Sequence, residues 1–117
     1  MQRVIIAGGR DFNDEHLLTQ SCDKIIGDSI CEIVSGGAKG ADRLGEFYAI
    51  EKNLQVKRFP ADWDKFGKRA GFLRNAEMAD YADTLIAFWD GESRGTKHMI
   101  DLANQKGLVV HIIKYSK

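Results

Sequence analysis

Five short apolar segments, separated by turns and by stretches with helical spacing, constrain the fold of this chain more than any other feature. They lie at residues 4–7, 33–34, 56–59, 85–88 and 109–113. Strand-length segments that alternate with amphipathic segments of helical length are typical of βα units on a parallel sheet. The pattern therefore predicts an α/β protein of the Rossmann-like type, a three-layer α/β/α sandwich with a mostly parallel five-stranded sheet.

Between these segments, apolar residues repeat every three or four positions. Four sets are visible: Leu18, Cys22, Ile25 and Ile26; Leu44, Phe47 and Tyr48; Phe72, Leu73, Ala76 and Ala79; and Thr96, Met99, Ile100 and Ala103. Because side chains at this spacing share one face of a helix, each set predicts the face that a helix buries. Right-handed crossovers then bring the loops at residues 8–13, 35–40, 60–71 and 90–95 to the carboxyl edge of the sheet, where ligands of open α/β sheets bind.

Length and charge narrow the class of protein. The 117 residues, 44% of them hydrophobic, suffice for one domain over residues 1–117. Lys and Arg together number 17, as do Asp and Glu, so no chain-wide attraction to nucleic acid or to an anionic membrane is expected. No apolar stretch is long enough to span a membrane, and the first residues continue directly into a predicted strand, so we expect a cytoplasmic protein without membrane contact.

The loop at residues 35–42 runs from a predicted strand into a predicted helix and holds three glycines within five residues. Glycine lets backbone N–H groups approach an anion closely, and the first turn of a helix offers unpaired N–H donors and a positive dipole end. We therefore predict a phosphate site formed by Ser35, Gly36, Gly37, Lys39, Gly40 and Asp42. A tight turn without a ligand is the alternative interpretation, and the loop matches neither the dinucleotide fingerprint nor the Walker motif.

The loops after the first and fourth predicted strands add further candidates. Arg10 is placed either to clamp a phosphate or to pair with Asp11 at the surface. Thr96 either binds an anion or caps the helix that it begins. The ligand-binding candidates of these two loops are Gly8, Gly9, Arg10, Asp90, Ser93, Gly95 and Thr96.

The long loop at residues 60–71 contributes Trp63, which either stacks on a base or anchors the loop to the domain. Arg74 and Asn75 follow this loop, and Arg74 is either a phosphate or ribose contact or a solvated surface group. Asp62 and Asp64 flank Trp63 in a pattern that favours turn capping over a metal site, so no metal is predicted.

Five segments together resemble the SLOG superfamily, and within it the small YspA- and YpsA-related proteins. They lie at residues 8–12, 35–43, 60–63, 70–78 and 93–96 and span nearly the whole chain. The resemblance implies a Rossmann-like fold, a small nucleotide or nucleotide-derived ligand with no certain cofactor, and association into homo-oligomers. It also implies a role for Arg74, because the LOG phosphoribohydrolases of the superfamily carry an Arg followed four residues later by a Met, as Arg74 and Met78 do here.

The chain departs from the phosphoribohydrolase pattern at one point. His98 and Met99 stand where those enzymes carry two glutamates, and cleavage of an N-glycosidic bond needs a carboxylate near the anomeric carbon. Binding or sensing of a nucleotide-derived phosphate ligand is therefore the leading hypothesis. The alternative is a nucleotide N-glycosidase, whose candidate catalytic residues are Arg74 and one of the carboxylates Asp42, Glu46 and Asp90.

Single-stranded DNA binding, as in the DNA-processing branch of the superfamily, is a third hypothesis. Its candidate contacts are Arg58, Lys65, Lys68 and Arg69. The zero net charge and the lack of several stacking aromatic residues argue against it, so nucleic acid is not expected as a partner.

Overall fold

A single five-stranded sheet forms the centre of the structure, a computed structural model that describes residues 1–116. The strands are β1 (Gln2–Gly8), β2 (Cys31–Ser35), β3 (Gln55–Arg58), β4 (Thr84–Trp89) and β5 (Val109–Lys114). They are ordered β3-β2-β1-β4-β5, and every neighbouring pair is parallel. The predicted Rossmann-like α/β class is therefore confirmed, with a sheet that is parallel throughout.

Five α-helices connect the strands. They are α1 (Glu15–Ile26), α2 (Ala41–Glu51), α3 (Trp63–Phe66), α4 (Ala70–Tyr81) and α5 (Arg94–Gln105). The segment at 60–71, predicted as a loop, contains α3 and a 3₁₀ turn at Gly67–Arg69. The Asp62 carboxylate accepts a hydrogen bond of 3.0 Å from the N–H of Lys65, so this side chain caps a short helix as its sequence position indicated. Within residues 1–116 no helix is both long and apolar enough to cross a bilayer.

The alternating side chains of the central strand β1 are buried on opposite faces of the sheet. Val4 and Ile6 of β1 join a core cluster with α1 and α2, whereas Ile5 and Ala7 join a second cluster with α4 and α5. Successive side chains of a strand point to opposite faces, so an unbroken apolar strand can serve two layers of helices. This is the physical reason for the three-layer α/β/α arrangement.

Helix α4 is turned relative to the face that its apolar spacing predicts. Its buried residues include Asn75, Met78 and Ala79, whereas Phe72 is 49% exposed. The prediction for Phe72 is wrong because Asn75 takes a buried position, where its Nδ2 lies 3.4 Å from the carbonyl oxygen of Gly95. A polar side chain can be buried when its hydrogen bonds are satisfied, and hydropathy spacing does not register those partners.

Helix α2 differs from its predicted face in the same way. Phe47 is 51% exposed, while Asp42 and Glu46 are buried. Gly45 lies against β1 so closely that a Cβ atom there would be 2.7 Å from the Cγ2 of Ile6. In contrast, the face predicted for α5 is confirmed, because its four residues are all buried.

The strand order places a reversal between β1 and β4. From β1 the chain proceeds outward through β2 and β3 on one side, and then returns to form β4 and β5 on the other. Loops that leave β1 and β4 therefore diverge toward opposite faces and open a crevice at the carboxyl edge of the sheet, where open α/β sheets bind ligands.

Candidate functional site

A cavity of about 570 Å³ opens at this crevice. Loops from four parts of the sequence line it, together with the first turns of α4 and α5. The predicted site residues that border it are Gly8, Gly9, Arg10, Asp42, Trp63, Arg74, Asn75, Asp90, Ser93, Gly95 and Thr96. The volume lies in the range that is typical of small-molecule sites.

Close backbone contacts hold the first two loops together. Gly40 has φ 79°, and a Cβ atom there would lie 2.2 Å from the carbonyl oxygen of Gly9. That same oxygen accepts a hydrogen bond of 3.2 Å from the N–H of Ala41. Gly40 does not line this cavity, so the structure gives it a role in loop packing.

The first loop is also held from the end of β5. The Tyr115 hydroxyl donates a hydrogen bond of 2.7 Å to the Asp11 carboxylate. It fills the space beside Gly9, where a Cβ atom would lie 1.9 Å from the Tyr115 oxygen. Sequence analysis did not identify Tyr115, because nothing near residue 115 indicates a contact with residues 9–11.

The Arg74 guanidinium is fixed at the floor of the cavity. Its Nη1 donates to the carbonyl oxygen of Gly36 at 2.7 Å, and its Nε donates to the Asn75 Oδ1 at 3.1 Å. Burial lowers the pKa of Arg74, an effect that the Asp42 carboxylate opposes. Its Nη2 has no hydrogen-bond partner within residues 1–116 and remains available as a donor to a ligand.

Asp42 presents a buried carboxyl group to the same cavity. Its Oδ2 accepts a hydrogen bond of 3.2 Å from the N–H of Ala38. Burial raises the pKa of Asp42 to about 6, although the Ala38 N–H and the positive charge of Arg74 oppose that rise. A carboxyl group that titrates near neutral pH can accept a hydrogen bond from a hydroxyl group and can also transfer a proton.

Ser35 and Glu46 point away from this cavity and toward each other. The Ser35 hydroxyl donates to the Glu46 carboxylate at 2.7 Å and accepts from the N–H of Gly37 at 3.0 Å. Arg58 forms an ion pair with the other side of Glu46. Burial opposes ionisation, but the hydrogen bonds from Arg58 and Ser35 prevail and lower the pKa of Glu46. The structure thus places the Ser35 hydroxyl within the loop and outside this cavity.

The first turn of α5 faces the cavity without a capping side chain. Asp90 shapes the preceding loop, since its Oδ1 accepts from the N–H groups of Glu92 and Ser93 at 2.8 Å each. The hydroxyl groups of Ser93 and Thr96 lie 3.2 Å apart, and the Ser93 side chain makes no capping bond to the helix. No acidic residue lies in this first turn, so its N–H groups and positive dipole end remain available to an anion.

Two aromatic side chains border the mouth of the cavity. Trp63 and Phe72 are each 49% exposed. Trp63 packs over Gly71, where a Cβ atom would lie 3.3 Å from the indole ring, and the Phe72 ring lies 4.5 Å from that of His98. Burial lowers the pKa of His98, which favours a neutral ring. The helical spacing of Phe72 led us to predict a buried core residue and not a site residue. Its position directly after a glycine, at the end of a long loop, was a signal that could have identified it as part of the site.

A second cavity, of about 680 Å³, adjoins the first. The two share Arg10, Ala38, Trp63 and Arg74. The other predicted site residues that line the second cavity are Gly36, Gly37, Lys39 and Glu46. Among residues 1–116, no group of three or more His, Cys, Asp or Glu side chains is placed to hold a metal ion.

Fold and site together define a Rossmann-like α/β protein with its candidate site at the topological switch point of a parallel sheet. The chain belongs to the YspA- and cpYpsA-related SLOG family, whose sequence pattern matches residues 2–66. This confirms the resemblance found from the five segments, and membership associates the chain with a nucleotide-related function.

Two known proteins are similar along most of this chain. The Gene 61 protein of Mycobacterium phage D29 is 35% identical over an alignment 118 residues long, which covers 94% of this chain and 94% of the phage protein. DNA processing protein A (DprA) of Streptococcus pneumoniae superimposes with a TM-score of 0.76 at 19% identity. That match covers 98% of this chain but 50% of the DprA chain, and it demonstrates a shared fold.

Proposed function

We propose that this protein binds a nucleotide or nucleotide-derived phosphate ligand in the 570 Å³ cavity. The observation that carries the proposal is the convergence of a fixed guanidinium group and an uncapped helix N-terminus on one cavity of nucleotide size. In this arrangement the phosphate meets Arg74 and the first turn of α5, and the sugar hydroxyl groups meet Asp42. Trp63 and Phe72 border the mouth and offer apolar faces to a base.

The charge of Asp42 favours α5 over α2 as the primary phosphate site. Asp42 lies in the first turn of α2 and already accepts the Ala38 N–H. A phosphate at the same turn would face this carboxyl group, and like charges repel each other strongly at a buried site. The first turn of α5 contains no acidic residue, and the nearby Asp90 carboxylate accepts the N–H groups of Glu92 and Ser93 ahead of that turn, so the N–H groups of the turn itself are left for the phosphate.

Thermal unfolding with a panel of small molecules tests the proposal. The panel contains inorganic phosphate, ribose 5-phosphate, the four nucleosides and their 5′-monophosphates. A ligand at about 100 times its Kd stabilises the folded state by about 2.7 kcal/mol, so we expect a clear rise in Tm with at least one monophosphate and a smaller one with its nucleoside. If no nucleotide raises Tm above the effect of inorganic phosphate, the proposal fails.

Replacement of Trp63 by alanine is expected to separate base binding from phosphate binding. Loss of one aromatic stacking surface costs about 1–1.5 kcal/mol, so the Kd for a nucleoside monophosphate should rise about tenfold. The affinity for ribose 5-phosphate should change by less than about twofold, because no base is present to stack. Isothermal titration calorimetry measures both, and an equal loss for both ligands would contradict a contact between Trp63 and the base.

A nucleotide N-glycosidase is the second candidate function, and the observation that favours it is the buried Asp42 carboxyl group beside Arg74. A carboxylate there could stabilise positive charge at the anomeric carbon while water replaces the base. Chromatography of a nucleotide panel after long incubation tests this function. Release of a free base that is lost in Asp42→Asn supports hydrolysis, whereas binding without any base release supports sensing.

Association into homo-oligomers, which the family resemblance implies, stays a prediction. Phe47 and Ile50 expose apolar side chains on α2, at 51% and 67% of their surface. Light scattering coupled to size exclusion measures the mass of the particle, and a mass of about 13.1 kDa, that of one chain, would contradict the prediction.

A further inference from the structure

The second cavity has a strongly positive lining. Five cations border it, and one carboxylate accompanies them. The cations are Arg10, Lys39, Arg43, Arg58 and Arg74, and the carboxylate is Glu46. The whole chain has zero formal net charge, so this is a local concentration of positive charge.

Within residues 1–116, Arg58 alone among these cations forms a direct ion pair. The ion pairs within residues 1–116 are Lys52–Asp23, Arg58–Glu46, Lys97–Asp101 and Lys106–Asp80, and among the cavity cations they involve Arg58 alone. The carboxylates of Asp42 and Glu46 act on Arg10, Arg43 and Arg74 at longer range than an ion pair. The five cations that line this cavity nevertheless outnumber its one acidic lining residue, Glu46, so the field inside it favours an anion.

Arg58 is held in position by a chain of hydrogen bonds. Ser35 donates to the buried Glu46 carboxylate, which in turn accepts from the Arg58 Nε at 3.0 Å. The Arg58 side chain nevertheless remains 67% exposed. A guanidinium group anchored along one edge and open along the other is suited to bind a phosphate.

Because Arg10, Ala38, Trp63 and Arg74 line both cavities, the two cavities form one groove. Arg74 lies at their boundary, with its Nη1 bound to Gly36 on the side of the second cavity. A ligand in the first cavity can therefore extend past Arg74 toward Arg43 and Arg58 without leaving the protein surface.

We propose that the second cavity binds an additional phosphate group of the same ligand, so that the ligand is a nucleotide with more than one phosphate. This inference rests on the proposed function of the first cavity. A small molecule fits better than a nucleic acid strand, because the large aromatic side chains within residues 1–116 that line the groove number two, Trp63 and Phe72. Binding of a strand uses a longer cationic path and several stacking aromatics.

Calorimetric titration compares adenosine and guanosine 5′-monophosphates with their 5′-diphosphates and 3′,5′-bisphosphates. A second charge-assisted contact should lower Kd about tenfold for at least one of the doubly phosphorylated forms. In Arg43→Gln this advantage should largely disappear, so that mono- and bisphosphate bind with similar affinity. Lys106→Gln, which removes a cation paired with Asp80 elsewhere, is the matched control and should retain the advantage.

Four results would overturn the inference. A second phosphate that adds no affinity, or an advantage that survives in correctly folded Arg43→Gln and in Lys39→Gln, leaves the monophosphate site intact but removes the second one. Tighter binding of a single-stranded DNA of about 12 nucleotides than of any bisphosphate would assign the groove to nucleic acid instead. Absence of binding by every nucleotide removes both this inference and the proposed function.

Discussion

Arg74→Ala is expected to raise the Kd for a nucleoside monophosphate about 100-fold. The guanidinium group is partly buried and already oriented by Gly36 and Asn75, so little side-chain entropy is lost when a phosphate binds. Removal of a charged hydrogen-bond donor from such a site costs about 3 kcal/mol, which corresponds to roughly this factor. Isothermal titration calorimetry measures the change directly.

Two further variants make the Arg74 result specific. Arg74→Lys keeps the positive charge but cannot bond Gly36, Asn75 and a phosphate together, so we expect an intermediate loss of affinity. Lys106→Ala removes a distant cation and should leave Kd unchanged. If Arg74→Ala remains folded and binds the monophosphate as tightly as the unaltered chain, the phosphate does not lie beside Arg74.

Asp42→Asn is expected to stabilise the folded protein by about 3 kcal/mol at pH values near 8, and to raise Tm by about 10 °C. Burial raises the pKa of Asp42 to about 6 in the folded state, compared with about 3.9 in an unfolded chain. Between these values the folded state binds more protons, so stability falls as the pH rises through this range. Above pH 6 the ionised carboxylate therefore carries its full cost, which the neutral amide avoids.

Chemical denaturation of Asp42→Asn and of the unaltered chain, at several pH values from about 4 to 8, measures this difference. The advantage of the variant should shrink as the pH falls and be lost below about pH 4, where the carboxyl group is protonated in both the folded and the unfolded state. Asp101→Asn, at an exposed position, should change stability by less than about 1 kcal/mol. An advantage that does not vary with pH would mean that ionisation of Asp42 is not its source.

The stability cost of Asp42 has a functional interpretation. A carboxylate that destabilises the fold at neutral pH and lines a cavity is suited to a binding role that the amide cannot fill. We therefore expect Asp42→Asn to be more stable than the unaltered chain and yet to bind a nucleotide more weakly. Gain of stability together with unchanged affinity would exclude a ligand contact at Asp42.

The layered fold could be predicted because its signals are local. Apolar segments of two to five residues and glycine-containing turns indicated the parallel sheet, and the spacing of Met99, Ile100 and Ala103 indicated the buried face of α5. The faces of α2 and α4 could not be predicted in the same way. Asp42, Glu46 and Asn75 are buried there because distant groups satisfy them, and such partners leave no trace in a hydropathy pattern.

The position of the candidate site was predictable, but its division into two cavities was not. Parallel strands necessarily bring the loops that follow them to one edge, so residues as distant as Arg10 and Thr96 could be grouped from the sequence. Which side of the groove each residue faces depends on α3 and on the bond between Arg74 and Gly36. Gly37 and Lys39 line the second cavity. Ser35 and Gly40 line neither cavity, because Ser35 bonds Glu46 and Gly40 packs against the Gly9 carbonyl.

The contact between Tyr115 and the loop at Gly9 has a practical consequence for the design of fusion proteins. Tyr115 follows the last strand and supports a loop that borders the cavity, so a label attached beside Tyr115 would disturb the groove. The amino end begins β1 at the opposite edge of the sheet. Affinity tags and fluorophores for the binding measurements therefore belong at the amino end, where they are separated from the groove by the length of a strand.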